Sequence, residues 1–596
     1  MQQIYELARI VMPTAEYSNF QDLFINKEEK TIYIDKTLQN VNVYHFNTWM
    51  NMFAAKKHYR YCDLGKLYLK LDIEGSYQIT VTGSNRNTAF HRIDDILVEK
   101  ECYNESVIEI PNAENYEGIY FSIYESVKDS FRFKKAAWCT DIKPTRENKL
   151  AVVSCTFKRE DFVTKNIKKF EQFKIENPEL KDKIYMFISD NGKTLPVSLN
   201  SDNVTIYQNM NAGGAGGFAR GLLEVMKLKQ GFTRVLFMDD DVEIFPESFY
   251  RTLILSNYLK DEFKDSFING AMLDLYNKSH FFENLAIQDN LWVRAHHPEQ
   301  ALTYDNILNI NDIPDSVFTN ADFKADSAWW YHCFDISIAE QQGLPFPCFF
   351  RGDDVEWSWR NFGKHHISMN GICVWHSPFV WRVSKAADSY YLPRNMFFLN
   401  AKYTHNFKNK FKNMFENTFK RLINTYDWCS LDLLLKAMKD ILKGAVVFSE
   451  NPEKQFMEIN NIAKNSQTEI CNNVCELDNA RFHQVHAKKW RKLIWKLTKN
   501  GLYCPKFLFK KQGVALDWYP PVEDFILVRE VRVYNLLTKK CEIRKFDKKK
   551  IISYRNEFFT LLNEMENKYD DLQKDFCKSH EKLSTLEFWN EYLELK

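Results

Sequence analysis

Three consecutive carboxylates, Asp239-Asp240-Asp241, close an apolar run, Arg234-Val235-Leu236-Phe237-Met238, and Val242, Ile244 and Phe245 follow them. Like charges this close repel and raise one another's pKa unless a cation sits between them. A hard divalent ion such as Mn2+ or Mg2+, held by oxygen ligands, removes that conflict and commonly bridges to substrate phosphates. The end of a buried strand is also where open α/β sheets place their ligands. The triplet therefore reads as a metal site that holds a phosphorylated donor. Most acidic triplets are solvated loops, but the apolar residues on both sides argue against a loop here.

Two further clusters carry chemistry. Gln208-Asn209-Met210-Asn211-Ala212-Gly213-Gly214-Ala215-Gly216-Gly217-Phe218-Ala219-Arg220 joins a strand to a helix. Its glycines let backbone approach a ligand and offer N–H donors. No Gly-Lys-Ser/Thr follows, and the glycine spacing is not that of a dinucleotide fingerprint. With the acidic triplet one strand later, the run is a nucleotide-sugar pocket candidate. Downstream, Phe349-Phe350-Arg351-Gly352-Asp353-Asp354-Val355-Glu356-Trp357 sets an acidic pair among aromatics. Partial burial raises such a carboxylate toward neutrality and suits it to deprotonate a sugar hydroxyl. The same acids also fit a helix N-terminus, with Asp353 capping and Asp354 facing a cleft. Ile372-Cys373-Val374-Trp375-His376 is a strand ending in histidine, a third metal ligand by residue type, although a lone His is more often structural. Trp329-Trp330-Tyr331 is bulky for core and apt as a stacking platform for a sugar ring.

The elements that must position these residues follow from periodicity. Lys149 to Cys155, Ile184 to Ile188 and Val204 to Tyr207 are short apolar strands, with a helical run from Asp161 to Phe173 between the first two. Strand–helix alternation predicts a parallel α/β sheet. Before it, Leu67, Leu69, Leu71 and Ile73 alternate with polar residues, and Gly75 leads into a second such run, which predicts a β-sandwich. Phe46-Asn47-Thr48-Trp49 and Phe53 read as core rather than as a carbohydrate surface. Beyond about residue 405 the chain is rich in Lys, Glu and Leu and reads as helices. The expected organisation is an N-terminal β-sandwich over 1–146, an α/β nucleotide-sugar-binding centre over 147–405 and a mostly helical domain over 406–596.

A balance of 80 Lys+Arg against 79 Asp+Glu argues against a nucleic-acid partner. The 13 cysteines are scattered and read as reduced thiols. Cys471 and Cys475 with His483 and His486 do not match zinc-finger spacings. The N-terminus has no basic, then apolar, leader, and no run reaches the roughly 18 apolar residues of a membrane span. The expected location is cytoplasmic, with a peripheral hold on the inner face of the membrane. The basis for that hold is Lys488 to Lys499: Trp490, Leu493, Ile494 and Leu497 share one helical face, and Lys488, Lys492, Lys496 and Lys499 flank it. Such a helix either lies on an anionic membrane or packs its stripe against the protein.

The order of motifs resembles family 2 glycosyltransferases of the GT-A fold, and most closely the galactofuranosyltransferases that build mycobacterial galactan. The motifs are Thr156-Phe157-Lys158-Arg159, Asp190-Asn191, Asn209 with the glycine run, the acidic triplet, Trp329-Trp330, Gly352-Asp353-Asp354, Trp375-His376 and Tyr390 to Asn395. The resemblance covers most of residues 40 to 400. It implies an inverting, metal-dependent enzyme that moves galactofuranose from UDP-galactofuranose to a lipid-linked glycan acceptor, and a homo-oligomer is expected. It implies that Arg159, Asp190, Gln208, Asn209, Gly213, Gly214 and Asp240 bind the donor. Asp239, Asp241 and His376 then hold Mn2+ or Mg2+, and Asp354 is the base. Trp329, Trp330, Asp353 and Phe379 shape the acceptor site. Phe379 stands where that family has a second acceptor-site tryptophan, and Glu283 is the nearest match to its acceptor-site glutamate. The competing readings are another donor sugar (rhamnosyl or hexopyranosyl), a non-catalytic carbohydrate-binding scaffold and a nucleotidyltransferase.

Overall fold

Alternation from Leu67 to Ile73 builds a strand whose Leu67, Leu69, Leu71 and Ile73 are buried while Lys70 and Asp72 are half-buried. The structure, a computed structural model, describes residues 3–34, 37–88, 91–125, 132–313, 316–320, 324–379, 384–466, 470–471, 488–516, 519–535 and 540–595. The side chains of Cys471, Cys475, His483 and His486 lie outside the described residues. Contacts divide the chain into two compact units. Residues 1–209, 217–344 and 357–378 form the first, and 210–216, 345–356 and 379–596 the second.

In the first unit, β1 (Tyr5–Arg9), β2 (Asn26–Ile34), β3 (Thr37–His45), β4 (Leu67–Thr88), β5 (His91–Ile110), β6 (Gly118–Glu125) and β7 (Arg132–Thr140) form one sheet. Its order is β1-β7-β4-β6-β3-β2, with β5 along the other edge of β4. The sequence predicts a sandwich of two sheets. The strands instead make a single ladder network, because β4 is long enough to pair with β7 through Leu67–Glu74 and with β6 through Tyr77–Ser84. Phe46, Trp49 and Phe53 are buried, as the core reading of that segment requires.

The second sheet is the α/β part. Strands β8 (Leu150–Thr156), β9 (Ile184–Asp190), β10 (Val204–Gln208) and β11 (Arg234–Asp239) run parallel in the order β10-β9-β8-β11. They are near-continuous apolar runs because helices such as α1 (Glu160–Glu176) and α2 (Gly213–Lys227) connect them and both faces are covered. The chain steps one way from β8 to β10, then returns to the other side of β8 as β11. That reversal is a topological switch point, and it sets Asp239 beside Cys155 at the carboxyl ends of the two central strands. The sheet continues through β12 (Glu243–Ile244), β13 (Phe267–Asp274), β14 (His280–Glu283), β15 (His332–Asp335) and β16 (His366–His376). β15 is antiparallel to β11, and β16 is parallel to β13. One apolar cluster runs through both sheets, including Leu69, Ile79, Trp138, Val152, Ile188, Leu236 and Met272.

The second unit is mainly helical. It includes the first half of α3 (Asp353–Arg360), then α4 (Leu392–Tyr403), α5 (Tyr569–Leu583) and α6 (Leu586–Tyr592). It also holds a small sheet of Ile470–Cys471, Lys510–Ala515, Val528–Asn535 and Lys540–Lys545, which the helical reading of this region did not anticipate.

Candidate metal and donor site

β11 ends at Asp239 and β12 begins at Glu243, so the acidic triplet makes the turn between them. β12 lies antiparallel to β16, with Glu243 opposite Trp375 and Ile244 opposite Val374. That register brings the turn to the end of β16, where His376 is the last residue. His376 Nε2 lies 3.4 Å from Asp241 Oδ1 and 4.0 Å from Asp239 Oδ2. One ligand atom from each of the three falls within 4.8 Å of the other two. Asp241 and His376 are buried, and Asp239 is partly exposed, which leaves the group open on one side. Two carboxylates and one imidazole make a donor set that fits a hard or borderline divalent ion. Asp240 is not one of the three. Burial, helped by the neighbouring Asp241 charge, pushes its carboxyl up to about 7, and it accepts from the Phe157 N–H at 3.4 Å.

Arg159 opens α1 with half of its side chain exposed, and its Nε lies 3.8 Å from Asp241 Oδ2. Asp190 is fully buried at the end of β9. Its carboxylate accepts from the N–H groups of Gly192 (3.0 Å) and Leu195 (2.8 Å), so its visible work is to shape the turn after β9. Gln208 is exposed at the end of β10. Asn209 is buried and gives its amide to Asn191 Oδ1 at 2.9 Å, which leaves Asn209 Oδ1 buried without a partner. A buried unpartnered acceptor is costly unless a ligand supplies the donor, and this one sits one residue past the carboxyl end of β10.

The indoles of Trp329 and Trp330 are both interior. Trp329 packs on Phe218 and Phe237 at ring-centroid distances of 5.1 and 5.0 Å, and its Nε1 has no partner. Trp330 Nε1 donates to Gly270 O at 3.0 Å, and its ring lies 6.5 Å from that of His376. Glu283 is half-buried opposite Met272.

In the second unit, the glycine run is not a loop: it is helical from Gly213 onward. Gly213 has φ +70°, and a Cβ there would stand 2.0 Å from Phe349 O. Gly213→Ala is therefore expected to cost at least about 2 kcal/mol, the sum of left-handed strain and a backbone clash, read as a lowered midpoint in thermal melting. Gly214 lies against the Asp353 carboxylate, and Ala215 N–H donates to Phe349 O at 3.1 Å. Phe349 and Arg351 themselves sit at φ 73° and 67°. Side chains sustain that strain only where neighbours over-determine the loop. Asn395 does so: its amide donates to the carbonyls of Cys348 (3.0 Å), Phe350 (3.1 Å) and Arg351 (2.7 Å). Arg394 adds a bond to Cys348 O at 3.0 Å.

This loop delivers Asp353 and Asp354 to the first turn of α3. Asp353 is buried and Asp354 half-buried, with Asp354 Oδ1 accepting from Val355 N–H at 2.8 Å. Burial pushes both carboxyls above the ordinary carboxylate range, and the Arg351 cation pulls the other way. Phe379 is exposed. The sequence reading placed Tyr390 to Asn395 among its motifs without a role. Its role in the structure is to clamp the loop that carries the acids, and the partners are main-chain carbonyls about 45 residues upstream, which leave no trace in side-chain spacing.

The site thus defines a class: an α/β sheet with a candidate metal triad and a polar cluster at its switch point. Residues 7–141 match the family described as Galactofuranosyltransferase 2 N-terminal. The chain is 24% identical over 424 residues to galactofuranosyltransferase GlfT2 of Mycolicibacterium smegmatis, covering 67% of this chain and 64% of that relative. It is 27% identical over 179 residues to GlfT2 of Mycobacterium tuberculosis, covering 29% of this chain and 28% of that one. The chain thus resembles the galactofuranosyltransferases of mycobacteria, and it spans a little under two thirds of the first relative's length. Among solved structures, a xylanase 10B fragment from Clostridium thermocellum shares 11% identity at a TM-score of 0.14, over 32% of this chain and 38% of that one, too slight a likeness to bear on the fold.

Proposed function

We propose that this chain is an inverting, metal-dependent glycosyltransferase of the GT-A fold that transfers galactofuranose from UDP-galactofuranose to a lipid-linked bacterial glycan. The observation that carries the reading is the grouping of Asp239, Asp241 and His376 beside a switch point where diphosphates are commonly bound. The resemblance to galactofuranosyltransferases supports the choice of sugar.

In this reading Asp239, Asp241 and His376 hold Mn2+ or Mg2+, which when bound stabilises charge on the departing diphosphate. Arg159 places its guanidinium on the diphosphate, and the unpartnered Oδ1 of Asn209 accepts a hydrogen bond from the nucleotide. Gln208 and Asp240 complete the donor contacts, and the buried Asp190 shapes the turn beside them. Asp354, ionised, takes the proton of the acceptor hydroxyl as that oxygen bonds to the anomeric carbon. The bond from that carbon to the diphosphate breaks with inversion, and UDP leaves. Asp353 and Phe379 orient the acceptor, whereas Trp329 and Trp330, read from the sequence as a sugar platform, are buried at 4% and 3% and serve as packing. A panel of nucleotide sugars assayed with Mn2+ and an alkyl galactofuranoside acceptor tests the reading. Transfer from UDP-galactofuranose is expected. Transfer from another sugar alone would change the donor, transfer of the nucleotide would mark a nucleotidyltransferase, and no turnover with any donor would favour a carbohydrate-binding scaffold.

Homo-oligomerisation and a peripheral hold on the inner face of the membrane belong to the same reading. Among the described residues no helix is long and apolar enough to cross a membrane. The helix Lys489–Leu497 leaves Trp490, Leu493 and Leu497 exposed at 48%, 58% and 75% and Ile494 half-buried, so among the described residues most of the stripe faces outward. Exposed Phe507 and Tyr503 follow it. An apolar ridge among lysines suits the surface of an anionic bilayer. The protein is expected to sediment with phosphatidylglycerol vesicles at low salt and not with phosphatidylcholine vesicles. The double variant Trp490→Ala, Leu493→Ala is expected to stay in solution, and equal sedimentation of both proteins would reject the surface.

A further inference from the structure

One buried group near the acids has no part in the reaction just described. Glu356 lies one turn into α3, two residues past Asp354, and is fully buried. Its Oε1 accepts from the hydroxyl of Tyr403, the last residue of α4, at 2.8 Å. The same oxygen lies 2.7 Å from Nε2 of His580, on α5. His580 is itself buried, with its ring stacked on Phe346 at 5.0 Å and 7°. From the next helix, α6, Trp589 Nε1 donates to Pro345 O at 2.9 Å. The last two helices of the chain thus grip the segment on both sides of Asp353-Asp354, at Pro345-Phe346 and at Glu356.

A carboxylate with no exposure is expensive unless its lone pairs are met by well-aligned donors. Two donors from different helices converge on one oxygen here, which fixes both the rotamer of Glu356 and the roll of α3. The first turn of α3 follows a loop that holds Phe349 and Arg351 at positive φ, and such a loop relaxes when its supports are removed. A base must stand within hydrogen-bond reach of the proton it takes, so a small rotation of α3 moves Asp354 out of line.

We propose that His580 and Tyr403 are positioning residues for the transferase reaction: through the Glu356 carboxylate they hold the first turn of α3, and with it Asp354, in the reactive orientation. The proposal rests on the reading of Asp354 as the base. It assigns the C-terminal helices a role in turnover, beyond a part in folding.

The test uses the full chain, with UDP release from UDP-galactofuranose and an alkyl galactofuranoside as the assay. His580→Ala is expected to lower kcat by about 10- to 100-fold, the usual effect of misplacing a reacting group by an ångström, with the donor KM changed less than about threefold. His580→Gln keeps an N–H that reaches Glu356 and is expected to recover most of the loss. Tyr403→Phe, which removes one donor without opening a cavity, is expected to give a smaller drop of the same kind. A residue that serves only folding would lower the melting temperature and the active fraction while leaving kcat per folded molecule unchanged. If folded His580→Gln and Tyr403→Phe both match the parent and His580→Ala keeps kcat per folded molecule within about twofold, the proposal is overturned. If His580→Ala does not fold, Tyr403→Phe decides alone, and parental kcat overturns the proposal. Asp354→Asn is the control that separates the two layers. Parental turnover in that variant overturns the reading of the base and this proposal together, whereas a dead Asp354→Asn beside unaffected His580 and Tyr403 variants overturns this proposal alone.

Discussion

Asp354→Asn is expected to lower kcat by about a thousandfold, the middle of the range for losing a general base, while UDP binding stays near the parental value. Asparagine keeps the size and hydrogen-bonding shape of the residue and removes only its capacity to take a proton, so the loss measures that capacity. The pH profile gives the same claim a second reading. Burial of Asp353 and Asp354 favours their neutral forms and raises both carboxyls above the ordinary range. The base works only when ionised, so activity is lost as pH falls through this raised value. The acidic limb of kcat is thus expected above the value of about 4 for a free aspartate. An acidic limb at the ordinary carboxylate position, or Asp354→Asn with parental kcat, would reject Asp354 as the base.

His376→Ala is expected to be comparably damaging by a different route. It deletes the one imidazole among the three candidate ligand residues and leaves two carboxylates. Weakened metal affinity, by about 10- to 100-fold or more, is the expected first effect, since even outer-shell partners of metal ligands carry that much. Titration of Mn2+ into protein without donor, followed by the paramagnetic signal of the free ion, reads this directly. Parental Mn2+ affinity in His376→Ala would remove the histidine from the site, whatever happened to turnover.

The grouping of the candidate metal triad was partly legible in the sequence, for a physical reason: Asp239 and His376 end apolar strands, Asp241 follows two residues on, and strand ends at a switch point converge. The β12–β16 pairing that joins them was not legible, because two residues of antiparallel ladder leave no periodic signal. The β-rich start and helical end of the chain followed from periods of two and 3.6 residues. The single sheet made by β4 did not follow, since choosing between two ladders and one depends on where a long strand changes partners. The glycine run was read as the joint between a strand and a helix, open to a ligand, and glycine is itself a poor helix former. In the structure, packing outweighs that propensity: a side chain at Gly217 would meet Cys155 Sγ at 1.9 Å, so small residues are what allow α2 to lie on β8. Trp329 and Trp330 show the limit of reading residue type alone, since an aromatic pair serves equally as an exposed platform or as interior packing. The contacts of Asn395, His580 and Tyr403 were out of reach because their partners lie 44 to 224 residues away in the chain.

The proposed transfer requires a divalent ion, which Asp239, Asp241 and His376 would hold and which would stabilise charge on the departing diphosphate. The most direct test of that requirement is sugar transfer by the intact protein after exhaustive chelation, with Mn2+ then restored in excess. Transfer is expected to fall to the background rate and to return when the ion is restored. Transfer that continues undiminished in the chelator would contradict it.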